Sequence, residues 1–443
     1  DIHAKRSESA SRQFASLVLG WVMLALMTIA LVGAVFAPRI VPFFVHGFDQ
    51  ERMQLTIMLT RVLFLSPVLL GISAVFGGVL QSARKTLAFA FAPVWYNAGI
   101  LLGILVLTRW FGVLGVAMGV LIGAGLHMIT QGVGAFRLGI RLPASLHWTP
   151  DMRRLLMLTL PRLAALGASQ LSLVILLSFA STLPTGSVAV FQLANNLQSF
   201  PLGVIGISFA VAAFPLLSEA AAQSSYADYH AILGKTARRI VFCLLPISLA
   251  FVLLRAQLVR LVLGDGAFNW SDTIATAEVL GWFAISLLAQ ALIPLLTRGF
   301  YALHSTWTPF AITLTIEAIN IFLAWTLRSV YGIAGLAMAF SFSSGVQVLL
   351  LWLFLQRRVG NASQRDFVRL CAFSALASVP ALAAGWVARQ AVGTWLPLRA
   401  FWQVALQFGA ASVAIGVVYL ALMYLLKVDE IRDAVARARR LIR

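Results

Sequence analysis

Acidic side chains are scarce in this 443-residue chain. Only 15 Asp and Glu stand against 33 Lys and Arg, and charged residues of both signs make up 11% of the total. Soluble domains carry about 25%, and here apolar stretches of helix-spanning length recur from end to end, leaving no room for a soluble domain between them. Cysteine is nearly missing. Cys243 and Cys371 both fall inside apolar spans, so neither a disulfide nor a metal site is expected. Of six histidines only His127 lies well inside a span, where a lone His is more often a helix–helix hydrogen-bond partner than a ligand or base. There is no Gly-rich phosphate loop, no Ser/His/Asp set and no carboxylate pair. A membrane glycosyltransferase or acyltransferase needs a carboxylate or His at its reaction centre, and Glu317 alone does not make one. An enzyme is not expected. Without a nucleotide-binding domain, transport would run on an ion gradient, on membrane potential or downhill. No signal peptide is visible, and the chain opens on Asp rather than Met, as expected of a chain cut at its N-terminus.

What is present is hydrophobic: 60% of the residues. Twelve helices are predicted, at 14–36, 54–82, 88–108, 111–138, 153–182, 186–221, 236–263, 274–302, 308–328, 331–356, 366–392 and 398–426. With alternate loops on opposite faces, one face collects Lys5, Arg6, Arg12, Arg84, Lys85, Arg137, Arg141, Arg153, Arg154, Lys235, Arg238, Arg239, Arg298, Arg357, Arg358, Arg365, Arg369 and the tail from Lys427 to Arg443. The positive-inside bias then places both ends in the cytoplasm. The net charge of +18 is spread through these loops rather than gathered in one patch, so the expected partner is anionic lipid and not nucleic acid.

An internal repeat is visible. Gly112-Val-Leu-Gly115-Val-Ala117-Met118 matches Gly332-Ile-Ala-Gly335-Leu-Ala337-Met338 at a spacing of 220 residues, and the same shift lays the first four helices on the seventh to tenth. The fifth and sixth helices would then have counterparts ahead of Asp1. The expected fold is therefore an all-α polytopic membrane protein of two parallel-repeat six-helix lobes, the first lacking its first two helices, plus two C-terminal helices. The divisions are an N-terminal lobe at 1–138, a cytoplasmic inter-lobe loop at 139–152, a C-terminal lobe at 153–356, an extra helix pair at 366–426 and a basic tail at 427–443.

Polar groups inside the spans are the candidate functional residues, because they are costly in hydrocarbon and usually face a bundle interior or water. The charged ones are Arg61, Arg162, Glu317 and, toward a helix end, Arg298. Amides are commoner: Asn97, Gln170, Gln192, Asn195, Asn196, Gln198, Gln290, Asn320 and Gln347. In "FQLANNLQSFPLG" (191–203), Gln192, Asn195, Asn196 and Ser199 share one helical stripe. A single buried amide is more often structural; the stripe, with Pro201 and Gly203 beneath it, suits a watery cavity. Prolines at 67, 161, 201, 215, 246, 294 and 380 permit kinks, which suits helices bent around a central space.

Four blocks in order resemble the MurJ/MviN family of lipid II flippases, within the multidrug/oligosaccharidyl-lipid/polysaccharide exporter superfamily. They are Leu59-Thr-Arg61 with Ser66-Pro67 and Gly78-Val-Leu-Gln81-Ser; Ala92-Pro93-Val-Trp-Tyr-Asn97-Ala-Gly-Ile100; Phe200-Pro201-Leu-Gly203-Val-Ile-Gly206 running to Phe214-Pro215-Leu-Leu-Ser218; and Arg298-Gly-Phe-Tyr301-Ala-Leu-His304-Ser-Thr306-Trp-Thr308-Pro309. The resemblance implies flipping of an undecaprenyl-diphosphate-linked peptidoglycan precursor across the bacterial cytoplasmic membrane. The polar head would cross through a hydrated cavity while the prenyl tail stays in lipid, along a groove that in the family involves the last two helices, here 366–426. Arg61 and Arg298, with Arg162 third, are the candidates to hold the diphosphate. Asn97, Gln170, Asn195, Asn196 and Ser199 are candidate cavity residues.

The chain also departs from the family pattern. An acidic–arginine–acidic set common in the family aligns with Asn195, Asn196 and Ser199, all uncharged here. Of the sodium ligands described for some members, Asn320 matches one position, but Leu176 and Ala324 stand at two others. Glu317, one turn from Asn320, is a candidate coupling-ion residue with it. No cofactor is expected, while dependence on membrane potential or a cation gradient stays open. Rival readings are an exporter of another polyprenyl-linked oligosaccharide, a drug/cation antiporter (disfavoured by the lack of acids in the spans) and a non-transporting scaffold for cell-wall synthesis proteins.

Overall fold

The computed structural model describes residues 8–45, 47–83, 85, 87–141, 146–264, 268–360, 365–397 and 400–432. Among them no residue is in a strand. The helices are α1 (Glu8–Phe44), α2 (Gln50–Leu63), α3 (Leu65–Ser82), α4 (Leu87–Leu102), α5 (Thr108–Phe111), α6 (Val113–Arg137), α7 (Pro150–Ser181), α8 (Ser187–Pro201), α9 (Ser208–Ala222), α10 (Tyr226–Leu263), α11 (Trp270–Ala302), α12 (Trp307–Val359), α13 (Arg365–Trp395) and α14 (Phe401–Leu425). One π-turn, Gly103–Leu107, joins α4 to α5, and another, Leu202–Ile207, joins α8 to α9 directly after Pro201. Ten helical runs of the described residues are long and apolar enough to cross a membrane. One of them, α12, is a single 53-residue run that contains both helices expected at 308–328 and 331–356. The helix expected at 153–182 forms as α7.

The break inside α12 is Gly332, at φ 55° and ψ −133°. Gly112, between α5 and α6, has φ 55° and ψ −138°. Residues with a Cβ are all but barred from this conformation. Three residues on, the chain doubles back against itself. A Cβ on Gly115 would lie 2.4 Å from the Leu107 carbonyl carbon, and one on Gly335 would lie 2.5 Å from the Leu327 carbonyl oxygen. The sequence repeat is thus a backbone repeat, with the same hairpin built on corresponding glycines.

The chain forms two compact units, residues 1–160 and 161–443. In the first, α1 packs on α2 and α3, while α3 and α4 pack on α6. Leu19, Phe76, Ala135 and Ile140 form its buried cluster. The α4–α6 seam is made of glycine on glycine: a Cβ on Gly99 would sit 2.3 Å from Gly123 Cα, and one on Gly103 would sit 2.8 Å from Gly119 Cα. Small residues let membrane helices approach until dispersion alone holds them.

In the second unit α11 is central, touching α8, α9, α10 and α12. Phe191 of α8, Phe283 of α11 and Phe340 of α12 stack edge-to-face across it. The pair α13–α14 packs on itself and on α10. α10 is broken at Leu254 (φ −111°, ψ 20°). Pro246 is too far upstream to be the cause. The carbonyls at the break have other partners, Val252 accepting from Arg255 and Leu253 from Arg389 of α13. Side chains that capture ladder carbonyls are a sufficient cause for such a kink.

Candidate functional site: a polar chamber in the second unit

Polar side chains on α7, α8, α11 and α12 converge on a cavity of about 330 Å³ within the second unit. Ser172 comes from α7 and Asn195 from α8. α11 contributes Gln290 beside Pro294, and α12 contributes Glu317 and Asn320 from before its break and Ser343, Ser344 and Gln347 from after it. Leu173, Leu176, Ile316 and Phe340 complete the wall.

A continuous hydrogen-bond chain ties one wall together. Gln198 Nε2 donates to Asn195 Oδ1 at 2.9 Å, and Gln290 Nε2 donates to Gln198 Oε1 at 2.8 Å and to Ser286 Oγ at 2.9 Å. Ser286 donates to Ser341 Oγ at 3.0 Å, and Ser341 donates to the Trp282 carbonyl at 2.8 Å. This chain crosses α8, α11 and α12. On the opposite wall Asn320 Nδ2 donates weakly to Ser172 Oγ (3.4 Å) and Glu317 Oε2 (3.5 Å), and Gln347 Nε2 donates to Thr313 Oγ1 at 3.1 Å. Asn320 Oδ1 and Ser343 Oγ are buried without a hydrogen-bond partner. Orphaned buried acceptors are costly and recur where a ligand or ion is meant to sit. Asn320 is 2% exposed. Among the described residues no cluster of three His, Cys, Asp or Glu is placed to hold a metal.

Of the residues singled out in the sequence, Asn195, Glu317 and Asn320 line the chamber. Asn196 and Ser199 are exposed on α8, and Ser199 Oγ donates back to the Asn195 carbonyl. The stripe is thus divided: Asn195 turns into the chamber, while the buried amide beside it is Gln198, one position off the stripe. Gln170 is exposed and outside the lining, although Ser169 and Ser172 on the same helix are part of it. Arg298, half-buried, donates to the Pro294 carbonyl at 3.4 Å and does not line the chamber. In the first unit Arg61 donates to the Ala34 carbonyl of α1 at 3.2 Å, and Asn97 donates to the Pro93 carbonyl at 3.0 Å. The side chain of Arg162 lies outside the described residues. Ser172, Ser343 and Ser344 carried no sequence signal beyond the i, i+4 spacing of Ser343 and Gln347. His127 takes a structural place, its Nδ1 2.8 Å from Ser73 Oγ.

Long apolar helices around an internal polar chamber are the architecture of a multi-pass membrane transporter. The fold agrees. A solved lipid II flippase MurJ in an inward closed conformation superposes with a TM-score of 0.79 at 20% identity, covering 98% of this chain and 87% of that one. An inward-facing multidrug resistance transporter of the MATE family and MOP superfamily gives 0.71 at 16% identity, covering 81% and 83%. The family model described as "Lipid II flippase MurJ" matches residues 2–406, and the chain belongs to that family. Similar proteins include the probable lipid II flippases MurJ of Rhizobium tropici (28% identical over 374 residues, 81% of this chain and 68% of that protein) and Thermotoga maritima (27% over 433 residues, 98% and 84%). It is a multi-pass protein of the bacterial inner membrane.

Proposed function

We infer that the chain moves lipid II, the polyprenyl-diphosphate-linked peptidoglycan precursor, from the inner to the outer leaflet by alternating access. The observation that carries this reading, beside family membership, is the chamber itself: a carboxylate, amides and hydroxyls held inside hydrocarbon-spanning helices. A sugar-peptide-diphosphate head cannot shed its water in hydrocarbon without such partners. In this reading the chain works as parallel lobes at 1–138 and 153–356, supported by the matching glycine hairpins at Gly112 and Gly332. Residues 366–426 are the pair along which the prenyl tail stays in lipid, and the basic loops place both ends in the cytoplasm. Arg61, Arg298 and Arg162 are assigned to the diphosphate. Glu317 and Asn320 are assigned to a coupling ion, supported by the partnerless Asn320 Oδ1.

Complementation tests the reading. The full-length gene is expressed in cells depleted of their own lipid II flippase, and precursor reaching the outer leaflet is measured. Growth and surface-exposed precursor are expected, and Arg61→Ala should abolish both at an unchanged protein level. Failure to rescue, with rescue instead of a strain lacking another polyprenyl-glycan exporter, would move the substrate to that glycan. Full rescue by the Arg61 variant would remove this residue from the site.

A further inference from the structure

Beyond the end of α14 the chain makes a turn that its residue type does not favour. Lys427 takes φ +57°, with its N–H donating to the Tyr424 carbonyl at 3.0 Å and the Val428 N–H donating to the Met423 carbonyl at 3.1 Å. This left-handed C-cap normally belongs to glycine. The turn tucks Val428 and Ile431 into a cluster with Val241, Phe242, Leu370 and Met423, drawing residues 427–431 against α10 and α13. A pocket of about 60 Å³ results, walled by Arg238, Arg369, Phe373, Lys427, Asp429 and Glu430.

The charges in the pocket are unevenly satisfied. Arg238 Nε donates to Glu430 Oε1 at 2.7 Å, and the Glu430 side chain is 8% exposed. That pair is closed. Arg369 lies over the Phe373 ring at 5.1 Å, and among the described residues no carboxylate pairs with Arg369 or Lys427. Asp429 also lines the pocket, one carboxylate beside two cations. Large apolar side chains run away from the pocket on the exposed surface of the same helices: Leu376 and Val379 on α13, Leu420 and Leu425 on α14. Two unpaired cations above an exposed apolar track match a molecule with a phosphate at one end and acyl chains at the other.

We propose that this pocket is a binding site for the phosphate of an anionic glycerophospholipid. Arg369 and Lys427 contact the phosphate oxygens, and the acyl chains lie along α13 and α14. The Arg238–Glu430 pair is the fixed wall that holds the 427–431 turn in place. Lys427 brings a charge to a turn position where a glycine, though better for the backbone, would supply none.

The test is native mass spectrometry of the full chain in detergent, titrated with phosphatidylglycerol or phosphatidylcholine. Phosphatidylglycerol should be retained selectively. With roughly one cation's worth of surface attraction lost per substitution, Arg369→Gln and Lys427→Gly should each weaken retention about fivefold, and the double variant about thirtyfold. Lys427→Gly relieves the backbone, so its loss of lipid cannot be ascribed to misfolding, and Arg369→Lys should keep most of the binding. Arg109→Gln, in the first unit, should change nothing. Equal retention of both lipids, an unaltered double variant, or an equal loss in Arg109→Gln would overturn the proposal. So would displacement by millimolar inorganic phosphate, which would mark a free-anion site.

Discussion

The amide bridge between α8 and α11 makes a quantitative prediction. Replacing Gln290 with Leu removes the donor to Gln198 Oε1, at 2.8 Å, on a side chain that is 1% exposed. An acceptor stranded in this way costs about 1–3 kcal/mol. Interhelical hydrogen bonds in membranes measure about 0.6 kcal/mol on average and reach about 1.7. Gln198→Leu alone breaks the same bond and also frees Asn195 Oδ1. The double variant strands neither amide against the other, so its cost should fall short of the summed single costs by about 0.6–1.7 kcal/mol. Reversible unfolding in mixed micelles gives the three values. As a control, Gln198→Leu combined with Gln347→Leu, whose bond is to Thr313, should be additive within about 0.5 kcal/mol. Coupling at Gln198–Gln290 no larger than in this control would mean that the bridge is not what joins α8 to α11.

Alanine at Gly112 or Gly332 should destabilise by about 1–3 kcal/mol each, since both hold the same φ near +55°, and thermal unfolding of the two variants should shift alike. A large difference between them would argue against equivalent hairpins. Glu317→Gln should leave the amount of folded protein unchanged but remove any dependence of transport on cation gradient, read as surface-exposed precursor in vesicles with and without the gradient. Arg238→Gln leaves the Glu430 carboxylate without its donor and should cost about 1.5–3 kcal/mol. Adding Glu430→Gln should restore part of that, and no restoration would mean that the pair does not hold the turn.

Much of the fold was legible because hydrophobic length is a strong signal in membrane chains. The repeat could be read for a related reason: Gly112, Gly115, Gly332 and Gly335 are required by the backbone and cannot drift. The extent of the helices was harder. α10 begins at Tyr226 rather than near 236 because a polar helical turn continues beyond the apolar run, which hydropathy does not register. The chamber was partly legible. Asn195, Glu317 and Asn320 were visible as polar groups in apolar runs, but Ser172 and Ser343 are too common in membrane helices to stand out. The helical stripe on α8 failed to separate Asn195 from Asn196, since adjacent residues 100° apart share a broad stripe yet face different neighbours. Arg61 and Asn97 each donate to a backbone carbonyl. A polar side chain can meet its need on a backbone carbonyl, and sequence spacing does not distinguish that from lining a cavity.

The glycine hairpins have a practical consequence. Each reverses the chain on a single residue, with backbone pressed to backbone immediately beyond, so neither corner offers a loop that a protease could enter or an epitope could occupy. A tag inserted at Gly112 or Gly332 would wedge the two helices apart instead of reporting their sidedness. Topology mapping at these two corners therefore has to rely on single-residue probes.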